Sequence, residues 1–396
     1  MSLPLSGVRV LAIEQYGAGP FATQHLADLG AEIIKIEHPS NGGDVGRAVG
    51  PYFFGEGDSH FFEAFNRNKC SMTLDLKKPE ARAVLLDLVA KSDAVFNNLR
   101  GDLPAKLGLT YAQLCEANPK IVCGHLSAYG RSGSRAAWPG YDYLMQAEAG
   151  YLSVTGEPDS PPARFGLSII DLMTGTTAAM ALLAGLVDAK TSGKGRDIDV
   201  SLFDVALHNL AYVATWYLNG GVVTGRENRS SHPSLTPSQL YKTQDGWIFL
   251  MCNKEKFWGV LAEVIDKPSW VTDPRFCNFQ ARLANRELVQ TELDAVLSTA
   301  TTAQWLERFG GRVPAAPVFN VREALENPFV AERECVVDAE HPRFGKVRGV
   351  AAPVRIDEPL PTRAAPDLGQ DTQRLLDELG YGAERIALLR EAGVVQ

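Results

Sequence analysis

No two of the six cysteines, Cys70, Cys115, Cys123, Cys252, Cys277 and Cys335, stand in a C-x-x-C pair, which argues against a zinc ribbon or a thioredoxin-type site. The seven histidines are equally scattered, with no H-x-x-x-H, so no metal site is expected. Basic residues are in deficit: 39 Lys and Arg stand against 47 Asp and Glu, a formal net charge of −8, and no broad cationic surface for nucleic acid is implied. No stretch approaches about 18 uninterrupted apolar residues, so no membrane partner is expected. The opening MSLPLSGVRVLAIEQ lacks the charged region and apolar run of a signal peptide, which makes a cytoplasmic address the default expectation. No period of about 20 to 50 residues recurs, which excludes a repeat array.

What is present is a chain of 396 residues, 45% hydrophobic and 22% charged, long enough for a large core and two domains. Residues 8–14 (VRVLAIE) form a β-branched run, residues 21–29 carry helical apolar spacing, and residues 31–37 (AEIIKIE) form a second run. Strand, helix and strand within about 30 residues is the length of a right-handed βαβ unit in a parallel sheet, and the fold class is read as α/β. The turn at residues 16–20 lies at the carboxyl edge of the first strand, where open α/β sheets bind ligands. Its GAGPFA only approaches the G-x-G-x-x-G dinucleotide fingerprint, because Pro20 interrupts the helix start. Further strands are expected at 71–76, 94–98 and 121–127, the last two ending in polar loops that carry Asn97, Asn98, Tyr129 and Arg131. Residues 197–218 begin strand-like and continue as one long apolar helix.

A shift to glycine, proline and polar residues at 219–237 reads as a linker. It divides a first part, 1–218, from a smaller α+β domain, 238–322, with strands around the Gln244-Asp245-Gly246 turn and helices at 254–265 and 286–297. Residues 323–396, with a strand pair at 336–348 and a helix at 371–378, are expected to return and complete the first domain.

One acid stands apart. In RFGLSIIDLMTGTTAAMALLAGLVDAK, residues 164–190, Asp171 falls where an apolar segment becomes a helix of very small residues, which let other backbone approach closely. A carboxylate near a helix start is favoured by the helix dipole and unpaired N–H groups, and by itself this stretch reads as a helix cap.

The ordered series Leu5-Ser6-Gly7-Val8-Arg9-Val10-Leu11, Ala18-Gly19-Pro20, residues 29–39 (LGAEIIKIEHP) with Gly43-Asp44 behind, Asn66-Arg67-Asn68-Lys69, Asn98-Leu99-Arg100, Gly140-Tyr141-Asp142, Asp171, residues 195–202 (GRDIDVSL) and residues 232–246 covers nearly the whole chain. It resembles the family III CoA-transferases, which include formyl-CoA, carnitine and bile-acid CoA-transferases together with α-methylacyl-CoA racemase. The resemblance implies a Rossmann-like large domain built from both chain ends, a small domain, and a homodimer of two chains passing through each other as interlocked rings. It puts the catalytic aspartate at Asp171 and the contacts to coenzyme A (CoA) at His38, Asn98, Leu99, Lys106, Leu107, Ser127, Ala128 and Tyr129. Formyl-CoA transferase has arginine where this chain has His38 and Lys106, and lysine where it has Ser127.

The implied activity is transfer of CoA from an acyl-CoA to a free carboxylic acid through an aspartyl anhydride and an aspartyl-CoA thioester, with CoA entering as substrate and no cofactor bound permanently. Gly17 and Tyr141 are candidate substrate neighbours, and Arg47, Arg164 and Arg226 candidate partners of the acceptor carboxylate. Racemisation is the alternative within the family, and it needs a second base. At the position where the racemases carry histidine this chain has Tyr141, a poor base near pH 7. His125, in an apolar strand, reads as a buried structural residue. Outside acyl-CoA transfer, a nicotinamide-dependent dehydrogenase and a noncatalytic CoA-binding protein remain as readings.

Overall fold

The computed structural model describes residues 2–396. Its largest sheet has six strands: β1 (Arg9–Ile13), β2 (Glu32–Glu37), β3 (Cys70–Thr73), β4 (Ala94–Asn97), β5 (Val122–Ser127) and β6 (Arg196–Ser201). All neighbours are parallel, in the order β3-β2-β1-β4-β5-β6. Val10, Leu11, Ile33, Ile34, Val95 and Val122 are wholly buried, as expected of parallel strands covered on both faces. Strand order reverses between β1 and β4, so a crevice opens between their carboxyl ends.

Helix α1 (Ala18–Asp28) follows β1, and Gly30, with φ 99°, supplies the left-handed turn that returns the chain into β2. The central helix is the small-residue stretch singled out from the sequence. It runs as α3 over Ile169–Ser192, after a shorter α2 (Asp142–Glu148). Where α3 crosses α1, a methyl group on Gly175 would lie 2.8 Å from the Ala18 carbonyl oxygen. Where it crosses the sheet, a methyl on Gly185 would lie 2.4 Å from Ile198. At Gly175 the obstacle is backbone, so only glycine permits the approach; at Gly185 side chains would have to give way. By length and composition α3 could cross a bilayer, but Gly175, Ala178, Ala179 and Leu182 are buried on the inner face it presents to the fold.

The chain divides into two compact units. One comprises the residues up to Ala149, Gly166–Ala211 and Ala331–Gln396; the other comprises Gly150–Phe165 and Tyr212–Val330. In the first unit, Leu375, Leu376, Ile386, Leu389 and Val394 join Leu11, Val84 and Leu88 in one apolar core, so residues from both chain ends build it. Its returning segment also forms an antiparallel pair, Val336–His341 with Gly345–Val350.

The borders fall at 212 and 331, and the run expected as a linker at 219–237 lies inside the second unit. Its irregular backbone is tied down: Arg286 donates to Glu227 Oε2 and to the His232 carbonyl, each at 2.9 Å. The second unit's sheet is antiparallel, with Trp247–Met251 between Ser238–Lys242 and Ala315–Pro317. It packs on Trp258, Leu261, Leu293, Trp305 and Phe309. The single helix expected to end at 218 is two, Leu202–Asn209 and Ala211–Gly220, because Ala211 takes φ 47° between them.

Candidate active site

The crevice between β1 and β4 is a cleft of about 200 Å³, walled by the turn Gln15 to Ala18, by Asn98 to Arg100, by Leu126 to Ala128, by Trp138 to Tyr141, and by Asp171. Three strand ends and the start of α3 thus converge on one space. Gly17 and Asp171 meet closely across it: a methyl on Gly17 would stand 3.0 Å from Asp171 Oδ2.

Asp171 lies in the first turn of α3 but does not cap it. The cap is Asp142, at the start of α2, whose Oδ2 accepts the N–H of Ile170 at 2.6 Å and of Asp171 at 3.0 Å, while its Oδ1 accepts from Gln146 Nε2 at 2.6 Å. The capping reading of Asp171 is therefore corrected, and its carboxylate is left facing the cleft. Burial, and after it the negative charge of Asp142, push the Asp171 carboxyl up to about 7, with no cation offsetting them. Near neutral pH it is poised between its two protonation states.

Asn98 does not reach outward. Its side-chain amide clasps the backbone of Gln15, accepting the N–H at 2.9 Å and donating to the carbonyl at 2.7 Å, which locks the β1 turn to the β4 loop. Leu99, Ser127, Ala128 and Tyr141 line the same cleft, and Tyr141 is 65% exposed, open to a bound molecule. Tyr129 stands behind the wall, its hydroxyl donating to Glu148 Oε2 at 2.9 Å and its ring against Trp138 and Phe203.

His38 follows β2 and is not part of the cleft wall; its Nε2 lies 3.6 Å from Asp75. Lys106 pairs with Asp102 at 2.6 Å on the exterior, and Leu107 packs against the apolar core, so neither borders the cleft.

Arg47 is the clearest correction. Its guanidinium is buried in a bidentate pair with Glu37, 2.8 Å on both arms, donates to the Pro366 carbonyl, and covers the Phe62 ring. With 3% exposure it is not available to an acceptor acid. In the second unit, Arg226 is engaged with the carbonyls of Ser160 and Pro161. His125 is buried between Asn97 and Asp197, at 2.9 and 2.8 Å, a structural role.

Among the described residues one group of metal-ligand type is found: Asp58, Glu63 and His341, all buried, with ligand atoms within 4.8 Å of one another. The Arg343 backbone N–H donates to His341 Nδ1 at 3.1 Å, so the proton of a neutral ring sits on Nε2, facing Asp58 Oδ2 at 3.3 Å. A nitrogen carrying a proton is no metal ligand, and the group suits shared protons better than a cation.

The sequence profile of CoA-transferase family III matches residues 5–372. The chain belongs to CoA-transferase family III. It is 35% identical over 389 residues to the succinate–glutarate CoA-transferase of Agrobacterium fabrum, covering 95% of this chain and 96% of that protein. It is 34% identical over 382 residues to the acetyl-CoA:oxalate CoA-transferase of Acetobacter aceti, covering 95% of each. Among solved structures, a CAIB/BAIF family protein of Brucella suis superposes with a TM-score of 0.83 at 31% identity, covering 96% of this family III chain and 100% of the other. The parallel-sheet α/β architecture is common to both.

Proposed function

We propose that this CoA-transferase moves CoA from an acyl-CoA to a free carboxylic acid with Asp171 as the nucleophile. The observation that carries the reading is an Asp171 carboxylate facing the switch-point cleft, held near neutrality by burial while a second acid does the capping.

Ionised Asp171 attacks the thioester carbonyl; the C–S bond breaks, CoA leaves as thiolate, and a mixed anhydride remains. The thiolate returns to the aspartyl carbonyl, releasing the donor acid and forming an aspartyl-CoA thioester. The acceptor carboxylate attacks that thioester, giving a second anhydride and free thiolate. Attack of the thiolate on the acceptor's carbonyl yields the new acyl-CoA and restores Asp171. One thioester is consumed and one is made, so no outside energy source is needed.

Each tetrahedral oxyanion needs donors. The N–H groups at 170 and 171 are taken by Asp142, which leaves the first turn of α1, at Ala18 and Gly19, as the candidate source. Racemisation would need a second base beside Asp171, and Asp142, the acid whose charge Asp171 feels, is committed to three donors.

Small carboxylic acids are the proposed acceptors, by analogy with the glutarate, oxalate and mesaconate named for relatives. The proposed assembly is the interlocked homodimer of the family. Apolar side chains left exposed on the single chain, among them Met180 and Val187 on α3, support burial against a second copy. Sedimentation at twice the chain mass is the expected result.

The deciding experiment is exchange of labelled CoA between succinyl-CoA and a panel of free acids. Asp171→Ala is expected to lose exchange while still binding CoA, and hydroxylamine added in turnover to convert Asp171 to a hydroxamate. Full turnover in Asp171→Ala would sink the assignment.

A further inference from the structure

Beneath the cleft lies a pair of opposite charges that the chemistry above does not use. Lys35, in the middle of β2, and Asp44 have wholly buried side chains, with Nζ and Oδ2 2.7 Å apart. Both reach the turn that carries Gly17. Lys35 Nζ donates to the Glu14 carbonyl at 3.1 Å, and Asp44 Oδ1 accepts the Tyr16 N–H at 2.8 Å and the Gly46 N–H at 2.7 Å. The two backbone groups that flank Gln15 are thus held from below, while Asn98 holds both backbone groups of Gln15 from the side.

This bracing has work to do at Tyr16, which adopts φ 69°, a left-handed conformation that a residue with a Cβ rarely takes. Such a conformation persists where surrounding groups over-determine it. It aims the next residue, Gly17, at Asp171, with only 3.0 Å between a methyl placed there and Oδ2. Burial works against the charge of Lys35, yet Asp44, Glu14 and Glu37 around it hold its pKa above the usual lysine value. Burial likewise works against the Asp44 charge, yet Lys35 and the N–H groups of Tyr16 and Gly46 hold it below the usual aspartate value. The pair stays ionised, and a buried ionic pair is retained more readily for the geometry it specifies than for its net stability.

We propose that Asp44, charged and oriented by Lys35, is a positioning residue for transfer: it fixes the Tyr16–Gly17 turn against Asp171 and so keeps water from the nucleophile. This rests on Asp171 being the nucleophile. Asp44 touches no substrate and acts only through the turn.

The test uses Asp44→Asn and the double variant Lys35→Met with Asp44→Asn, in the full-length protein. In the single variant the amide cannot accept from both Lys35 and Tyr16, so the turn loosens. In the double variant the amide oxygen is free to accept from Tyr16, and no buried charge is left without a partner. Asp44→Asn is expected to lower kcat about tenfold or more with CoA affinity within about threefold. It is also expected to shift the acid limb of kcat/KM to lower pH, because water reaching Asp171 relieves its desolvation while Asp142 still faces it. Loss of folded protein would scale the profile without moving it. The double variant is expected to recover both kcat and the limb.

An Asp44→Asn enzyme with wild-type kcat and limb overturns the proposal, as does a double variant no better than the single. If the single variant does not fold, the double is compared with Lys35→Met, Asp44→Ala, which has no acceptor for the Tyr16 N–H and is expected to lose kcat about tenfold; equal kcat in the two overturns the proposal. Wild-type protein that fails to exchange CoA, or Asp171→Ala that succeeds, would instead sink the nucleophile assignment.

Discussion

The carboxylate of Asp142 accepts the backbone N–H of Asp171 at 3.0 Å, so one acid caps the helix on which the other is displayed. The cap frees the Asp171 side chain, and its charge raises the proton affinity of that side chain. The nucleophile must be ionised, so with a carboxyl near 7 activity is expected to be low in acid and to rise with pH through that value. Asp142→Asn keeps an oxygen for the two N–H groups and removes the negative charge. The acid limb of kcat/KM for CoA exchange is therefore expected to move to lower pH, and a limb that stays or moves up would count against this electrostatic coupling.

Gly17→Ala tests the contact on the opposite side of Asp171. Gly17 has φ −103° and ψ −76°, a backbone that alanine tolerates, so the change acts through space alone. The added methyl stands 3.0 Å from Asp171 Oδ2 and forces the carboxylate or the turn aside. A displacement of this size at a reacting group costs about ten- to a hundredfold in rate. Stopped-flow CoA exchange is expected to show that loss in kcat, with a melting temperature close to wild type; unchanged kcat would place the reacting carboxylate elsewhere.

Arg47→Met separates a structural arginine from a substrate-binding one. The Glu37 carboxyl lies below the usual glutamate range because Arg47 and Lys35 overcome its burial. Removing one partner of a buried pair costs about 3 to 5 kcal/mol, which denaturant titration would register. KM for the acceptor acid, per folded enzyme, is expected to stay within about threefold of wild type, since the guanidinium faces Glu37 and not the cleft. A large rise in that KM with little change in stability would return Arg47 to the acceptor site.

The strands of the parallel sheet were legible where buried backbone demands continuous apolar runs, as in Ile33, Ile34 and Ile36. β6 was harder, because RDIDVS at the sheet edge is charged; Asp197 and Asp199 are spent on His125 and Arg131. The break at Ala211 follows His208 and Asn209, a short polar interruption too slight to mark a helix end in an otherwise apolar stretch, and the helix Ala383–Glu391 carries a weak apolar pattern that went unread. At the site, Asp171 and its small-residue helix could be found from sequence. Its pairing with Asp142 could not, because the 28 residues between them carry no periodic pattern and tertiary packing alone brings the two together. Arg47 shows the reverse: a residue type suited to carboxylates was recognised, and the carboxylate it binds is Glu37 of its own chain.

Glu63 is, with Asp171, an acid pushed strongly upward, and it reports on stability instead of chemistry. It accepts the Ala365 N–H at 2.9 Å through Oε2, and so helps hold the returning segment, while Oε1 is buried beside Asp58. Burial above all, and then Asp58, push its carboxyl up to about 8 against the pull of that N–H. The folded value exceeds the unfolded one of 4.5, so between the two the folded protein keeps a proton that the unfolded chain has released. The stabilising contribution is complete below the unfolded value and is lost as pH rises through about 8. Glu63→Gln keeps an acceptor for Ala365 and has no proton to lose. Its melting temperature is expected to fall less than that of wild type between about pH 5 and 8, the window in which the folded acid keeps a proton that the unfolded chain has lost. Parallel slopes for the two proteins would show that Glu63 is already ionised in the fold.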